Sequence, residues 1–139
     1  MGRDQLFSSF ELKNHRLRNR IGVAPMTRMS SQRDSIPRQD VLDFLARRAK
    51  NGAAIVYTEA IVTDYESAQG YPGQARILTQ RQIDGWRPVV RAIQDAGAVA
   101  MMQMFHCGRM PMVGQRKTGI VLPTKSFRPF QKSFPRSGC

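Results

Sequence analysis

Three features of this 139-residue sequence predict an α/β fold with a parallel sheet and helices outside it. Three short runs are apolar almost throughout, as suits strands covered on both faces. Two longer segments between them repeat apolar residues at helical spacing. Strand, helix and strand also recur within about 40 residues, the length of a βαβ unit.

Taken in order, residues 6–20 come first, with Phe10, Leu12 and Leu17 set around polar Lys13-Asn14-His15. That pattern suits a small hairpin with Asn14 near its turn. Ile21-Gly22-Val23-Ala24 follows as the first buried strand, and Pro25 ends it because proline has no N–H for a ladder. Met26, Thr27, Arg28 and Met29 therefore stand beyond a strand's carboxyl end, where α/β proteins place ligand-binding groups.

Gln32 to Gln39 is a polar loop, and Asp40 falls in the first turn of a helix running to about Lys50. Val41, Leu42, Leu45, Ala46 and Ala49 give that helix one apolar face, and Arg47, Arg48 and Lys50 suit its carboxyl end. Asn51-Gly52 stops it. Ala53 to Thr63 reads as the second strand. The loop Asp64 to Ile77, with Gly70-Tyr71-Pro72-Gly73, is long for a connection and reads equally as functional or disordered. Thr79-Gln80-Arg81-Gln82 matches a capping box and opens a second helix, whose inner face is Ile83, Trp86, Val89, Val90, Ile93 and Ala96. Pro88 removes the bond to the Asp84 carbonyl, which predicts a kink. Ala98 to Phe105 is the third strand.

Composition narrows the classes. No apolar run approaches the ~18 residues of a membrane span, and no secretory or myristoylation signal follows Met1, so a cytoplasmic location is expected. Cys107, Cys139, His15 and His106 lack metal-ligand spacing, so no metal site is expected. The net charge of +12 invites a nucleic-acid reading, but it is unevenly spread. Residues 111–139 hold six Lys and Arg, no acidic residue and four of the eight prolines, with no helix or strand period. This tail reads as irregular, and as out of frame or part of a truncated gene product.

Polar groups inside apolar strands carry the chemical information. Gln103 lies within Met101-Met102-Gln103-Met104-Phe105, and its carboxamide needs partners if buried. A core glutamine bonded to backbone and a ligand-binding glutamine are equally open on these residues alone. Thr27 reads as a loop cap or a ligand contact. Glu59 is expected to pair with an arginine, and His106 to be a hydrogen-bonded structural group.

The segment Ile21 to Ser31, Gln103, and His106-Cys107-Gly108-Arg109 together resemble the old yellow enzyme family of FMN-dependent ene-reductases and NADH:flavin oxidoreductases. Leu12-Lys13-Asn14-x-x-Leu17-x-Asn19-Arg20 matches part of that family's hairpin signature. Ser9 replaces a frequent proline, and Cys107 an alanine. The resemblance covers roughly residues 6–110. It decides between a flavodoxin-like open sheet and a partial (β/α)8 TIM barrel in favour of the barrel, with a hairpin closing its base ahead of about three strands and two helices.

The resemblance further implies an oxidoreductase with FMN as cofactor. NAD(P)H would reduce the flavin, and the reduced flavin would pass hydride to activated alkenes such as α,β-unsaturated carbonyls. Gln103 would meet the pyrimidine rim of the flavin and Thr27 its central ring, with Ala24, Pro25, Met26 and Ala60 contributing backbone contacts. No catalytic residue is placed, because later strands supply that machinery in the family and a full barrel needs about 250 residues. A truncated fragment with impaired or no activity is therefore expected, with weak or absent FMN binding. Its open sheet edges would invite oligomerisation or aggregation. The competing reading is a small basic module binding nucleic acid or an acidic partner; it has no paired aromatic RNA motif and no helix-turn-helix pattern.

Overall fold

The computed structural model describes residues 3–31, 34–64 and 68–108, so Arg109 and the basic tail lie outside the described residues. A short helix α1 (Arg3–Leu6), which the sequence pattern did not signal, precedes the hairpin. Strands β1 (Phe10–Leu12) and β2 (His15–Leu17) pair antiparallel, with Phe10 opposite Leu17 and Leu12 opposite His15. Lys13 takes the left-handed conformation at φ 52°, which lets two residues reverse the chain.

Strand β3 is Gly22–Val23, shorter than the apolar run around it. Helix α2 (Gln39–Lys50) buries Val41, Leu45, Ala46 and Ala49, and strand β4 (Ile55–Val62) is buried at every position except half-buried Tyr57. Helix α3 (Gln80–Asp95) opens with the expected capping box between Thr79 and Gln82. It continues as one helix through Pro88, which faces solvent where water can take the freed Asp84 carbonyl. Ile83 departs from expectation: it is 37% exposed, leaving Trp86, Val89 and Ile93 as the buried face. Strand β5 (Val99–Phe105) completes the described chain.

The three longer-range strands pair in parallel in the order β3-β4-β5. A flavodoxin-like sheet would put its first strand between the second and third. Here the second strand is central, as in a barrel that adds strands in sequence.

Both helices pack on one face, where Val41, Leu45, Val56, Ile61, Trp86 and Ile93 belong to a single cluster that also takes in Met102. On the other face Ile55, Tyr57 and Val99 meet Leu12 and Leu17 of the hairpin, which closes the amino end of the sheet. Arg18 secures that closure. Its guanidinium donates to the carbonyls of Ala49 at 2.6 Å, Ala53 at 2.8 Å and Ala96 at 3.1 Å, joining the carboxyl ends of both helices. Asn19 donates to the Gly52 carbonyl at 2.7 Å.

Beyond β5 no further strand pairs among the described residues, and Met104 is 75% exposed. Among these residues no helix is long and apolar enough to cross a membrane.

Candidate functional site

The site is built at the carboxyl end of the sheet, where the chain leaves β3 at Ala24-Pro25 and cannot pair further. Ala24 and Thr27 are exposed, Pro25 is half-buried, and Met26 is 50% exposed. Ala60 is buried in β4 and stands opposite Gln103 of β5 in the parallel ladder. Gln103 itself is exposed. A core glutamine bonded to backbone, one of the two readings left open, does not describe it.

A β-bulge decides which face these residues share. The ladder pairs Tyr57 with Met101 and then Ala60 with Gln103, so Thr58 and Glu59 together oppose Met102. The Thr58 hydroxyl fills the irregularity, accepting from the Gln103 amide at 3.3 Å and donating to the Glu59 carbonyl at 3.0 Å. Met102 and Ile61 face the helices, so alternation turns Gln103 and Ala60 to the opposite face. The Gln103 carboxamide and the Thr27 hydroxyl make no hydrogen bond among the described residues, which leaves both available to a ligand.

Glu59 ties the loop to this pair. Its Oε2 accepts the Arg28 backbone N–H at 3.1 Å, one residue before Ala60. The partner is an arginine, as expected, but the hydrogen bond comes from its backbone amide and not from a guanidinium. The Arg28 guanidinium stacks on the Phe44 ring at 4.0 Å, and Arg48 covers Phe44 at 3.2 Å. Burial pushes the Glu59 carboxyl above its ordinary value, against the lowering effect of the Arg28 and Met29 amides and the Arg28 charge. Burial, with smaller contributions from Arg47 and Arg28, lowers Arg48.

In the loop after β4, residues 70 and 71 gather on Gln74, which no motif singled out. Fully buried, Gln74 accepts from the amides of Gly70 at 2.9 Å and Tyr71 at 3.3 Å, and donates to the Ala60 carbonyl at 3.1 Å. The Ala60 carbonyl is thus already engaged. Tyr71 packs on Phe105 with ring centroids 5.9 Å apart, and the Cys107 amide donates to the Ala68 carbonyl. His106 Nδ1 accepts from the Gly108 amide at 2.8 Å, and its Nε2 lies 3.9 Å from Asp64.

Gly73 joins the two loops: its carbonyl accepts from the Ser31 amide, its φ is 65°, and a Cβ there would lie 2.7 Å from the Met29 carbonyl oxygen. Gly73→Ala is therefore expected to cost about 1–3 kcal/mol, since backbone strain and a backbone collision act together. Urea unfolding would check this, and an unchanged midpoint would contradict it.

Among the described residues no group of three or more His, Cys, Asp or Glu could hold a metal ion.

Comparison with known proteins gives one consistent result. The NADH:flavin oxidoreductase / NADH oxidase family matches residues 5–127, beyond the 6–110 that the resemblance covered. The chain is 33% identical to 12-oxophytodienoate reductase 1 of Oryza sativa subsp. japonica over 106 residues, 76% of this chain and 27% of that protein. An old yellow enzyme homologue from Zymomonas mobilis superposes with a TM-score of 0.69 at 30% identity, covering 76% of this chain and 29% of that one. Morphinone reductase, solved in complex with tetrahydroNAD, superposes with a TM-score of 0.68 at 33% identity, covering 75% and 28%. The chain thus spans under a third of the length of each of these proteins, and its fold is the corresponding part of their barrel. The basic binding module gains no support from these matches.

Proposed function

Because the chain belongs to the NADH:flavin oxidoreductase / NADH oxidase family, we propose that it forms one flank of an FMN site in an NAD(P)H-dependent reductase of activated alkenes. The observation that carries this reading is the pairing of Ala60 with Gln103 on the face away from the helices, beside a loop tethered one residue earlier in β4.

The Gln103 carboxamide can donate and accept at once, which matches the alternating donor and acceptor groups of a flavin pyrimidine edge. Thr27 would offer a hydroxyl to the central ring. Ala24, Pro25 and Met26 would lie along the ring, and the small Ala60 side chain would let it approach the sheet. When bound, FMN supplies hydride chemistry, and the part of these residues is to hold and polarise it. The isolated chain is expected to bind FMN weakly, because the phosphate grip and the substrate-holding pair lie, by the family resemblance, on later strands. Among the described residues no strand pairs with the outer edge of β5, which on the same reading is a route to self-association.

A chimaera tests this directly. Residues 5–108 would replace the matching part of the Zymomonas mobilis homologue. The expected product is yellow, bleaches with NADH or NADPH, and loses about tenfold in FMN affinity on Gln103→Ala. A folded but colourless chimaera would overturn the proposal.

A further inference from the structure

We propose that Glu59 is a positioning residue whose carboxylate latches the loop after β3 onto β4, setting where Pro25, Met26 and Thr27 stand at the carboxyl end of the sheet. What the loop touches rests on the flavin reading above; the latch does not.

Several observations on this residue converge. Glu59 is 3% exposed yet sits at the bulge, directly before Ala60. Its Oε2 holds the Arg28 amide, and the Met29 amide also faces it. Met29 stands in the left-handed region at φ 51°, a conformation costly for an unbranched residue unless its surroundings impose it. Successive backbone N–H groups turned inward are the arrangement that receives an anion. The other oxygen, Oε1, is buried without a hydrogen-bond partner among the described residues. Glu59 also lines the crevice bounded by Ala24, Met26, Val41, Phe44 and Tyr57.

The charges around it are few. Arg28 comes from the loop and Asp40 from α2, which favour the ionised and neutral forms respectively. Arg48 stands on α2 behind Phe44, while β3 contributes only apolar Val23 to the crevice. Two trends then oppose each other. A carboxyl whose folded value is raised stabilises fully below its unfolded value, and loses that contribution as pH rises through the folded one. The latch runs the other way, because a charged oxygen takes amide hydrogen bonds more strongly. Global stability from Glu59 therefore falls over the same rise in pH that orders the loop.

The test is an NMR pH titration of the full chain, following the Arg28 and Met29 amide protons in wild type and Glu59→Gln. In the wild type both amides are expected to shift with one midpoint above the ordinary glutamate range. In Glu59→Gln the shift should vanish, and Arg28 amide exchange at neutral pH should be about tenfold faster. Glu59→Asp, which keeps the charge and shortens the reach, serves if the first variant does not fold: the titration should persist with faster exchange. An Arg28 amide that is flat in wild type, or titrates alike in Glu59→Gln, would overturn the latch. A folded chimaera that takes up no FMN, beside a wild-type chain that shows the titration, refutes the flavin reading and upholds the latch.

Discussion

Gln74→Ala is expected to destabilise the protein by about 3 kcal/mol and to open the site end of the sheet first. The wild-type side chain is fully buried and satisfies three backbone groups, the amides of Gly70 and Tyr71 and the carbonyl of Ala60. Alanine leaves all three with no side-chain partner, and each buried orphan costs about 1–3 kcal/mol unless water reaches it. Water entering through residues 70–74 would relieve part of that penalty, so the sum stays below three full costs. Gln74→Glu separates the contributions: it can still accept from both amides but cannot donate to Ala60 while ionised, and it buries a charge. Urea unfolding gives the magnitude, and amide exchange at Gly70 and Tyr71 gives the location. Exchange that quickens uniformly over the whole chain would contradict the local opening.

Arg18→Ala should cost a similar amount, about 2–3 kcal/mol, and loosen the opposite end. The guanidinium makes three hydrogen bonds to carbonyls at or just past the ends of α2 and α3, where the last turns leave acceptors unpaired and the helix dipoles favour a cation. Arg18→Lys keeps the charge but cannot span three acceptors with a planar fork, so it should recover only part of the loss. A matched pair of unfolding curves would show whether charge or geometry matters more. Equal midpoints for lysine and arginine would show that charge alone suffices.

Much of the fold was legible in the sequence because its elements announce themselves locally. The capping box at Thr79 and Gln82, the apolar face of α2, and the near-continuous run of β4 each need only neighbours in sequence. Gln103 stood out as a lone amide among apolar residues, and its exposure answers only whether it belongs to the core. What escaped depends on distant partners. Gln74 looks like any loop glutamine until the Ala60 carbonyl, fourteen residues back, is placed beside it. Glu59 pointed to an arginine, but no side-chain pattern could show which one, or that its main-chain amide would be the donor. Ile83 fits the helical period and is nevertheless exposed, since it lies in the first turn of α3 and no further chain covers it among the described residues.

The extra residue in β4 makes the strand two half-strands of opposite phase. Removing Thr58 would leave Glu59 alone opposite Met102 and restore simple alternation, with Ala60 still opposite Gln103 and Ile61 still among the helices. The lower segment, Ile55 to Tyr57, would keep its partners in β5 and its grip on the hairpin. A single-codon deletion here would thus keep both faces and remove the hydroxyl that joins the two strands at the bulge.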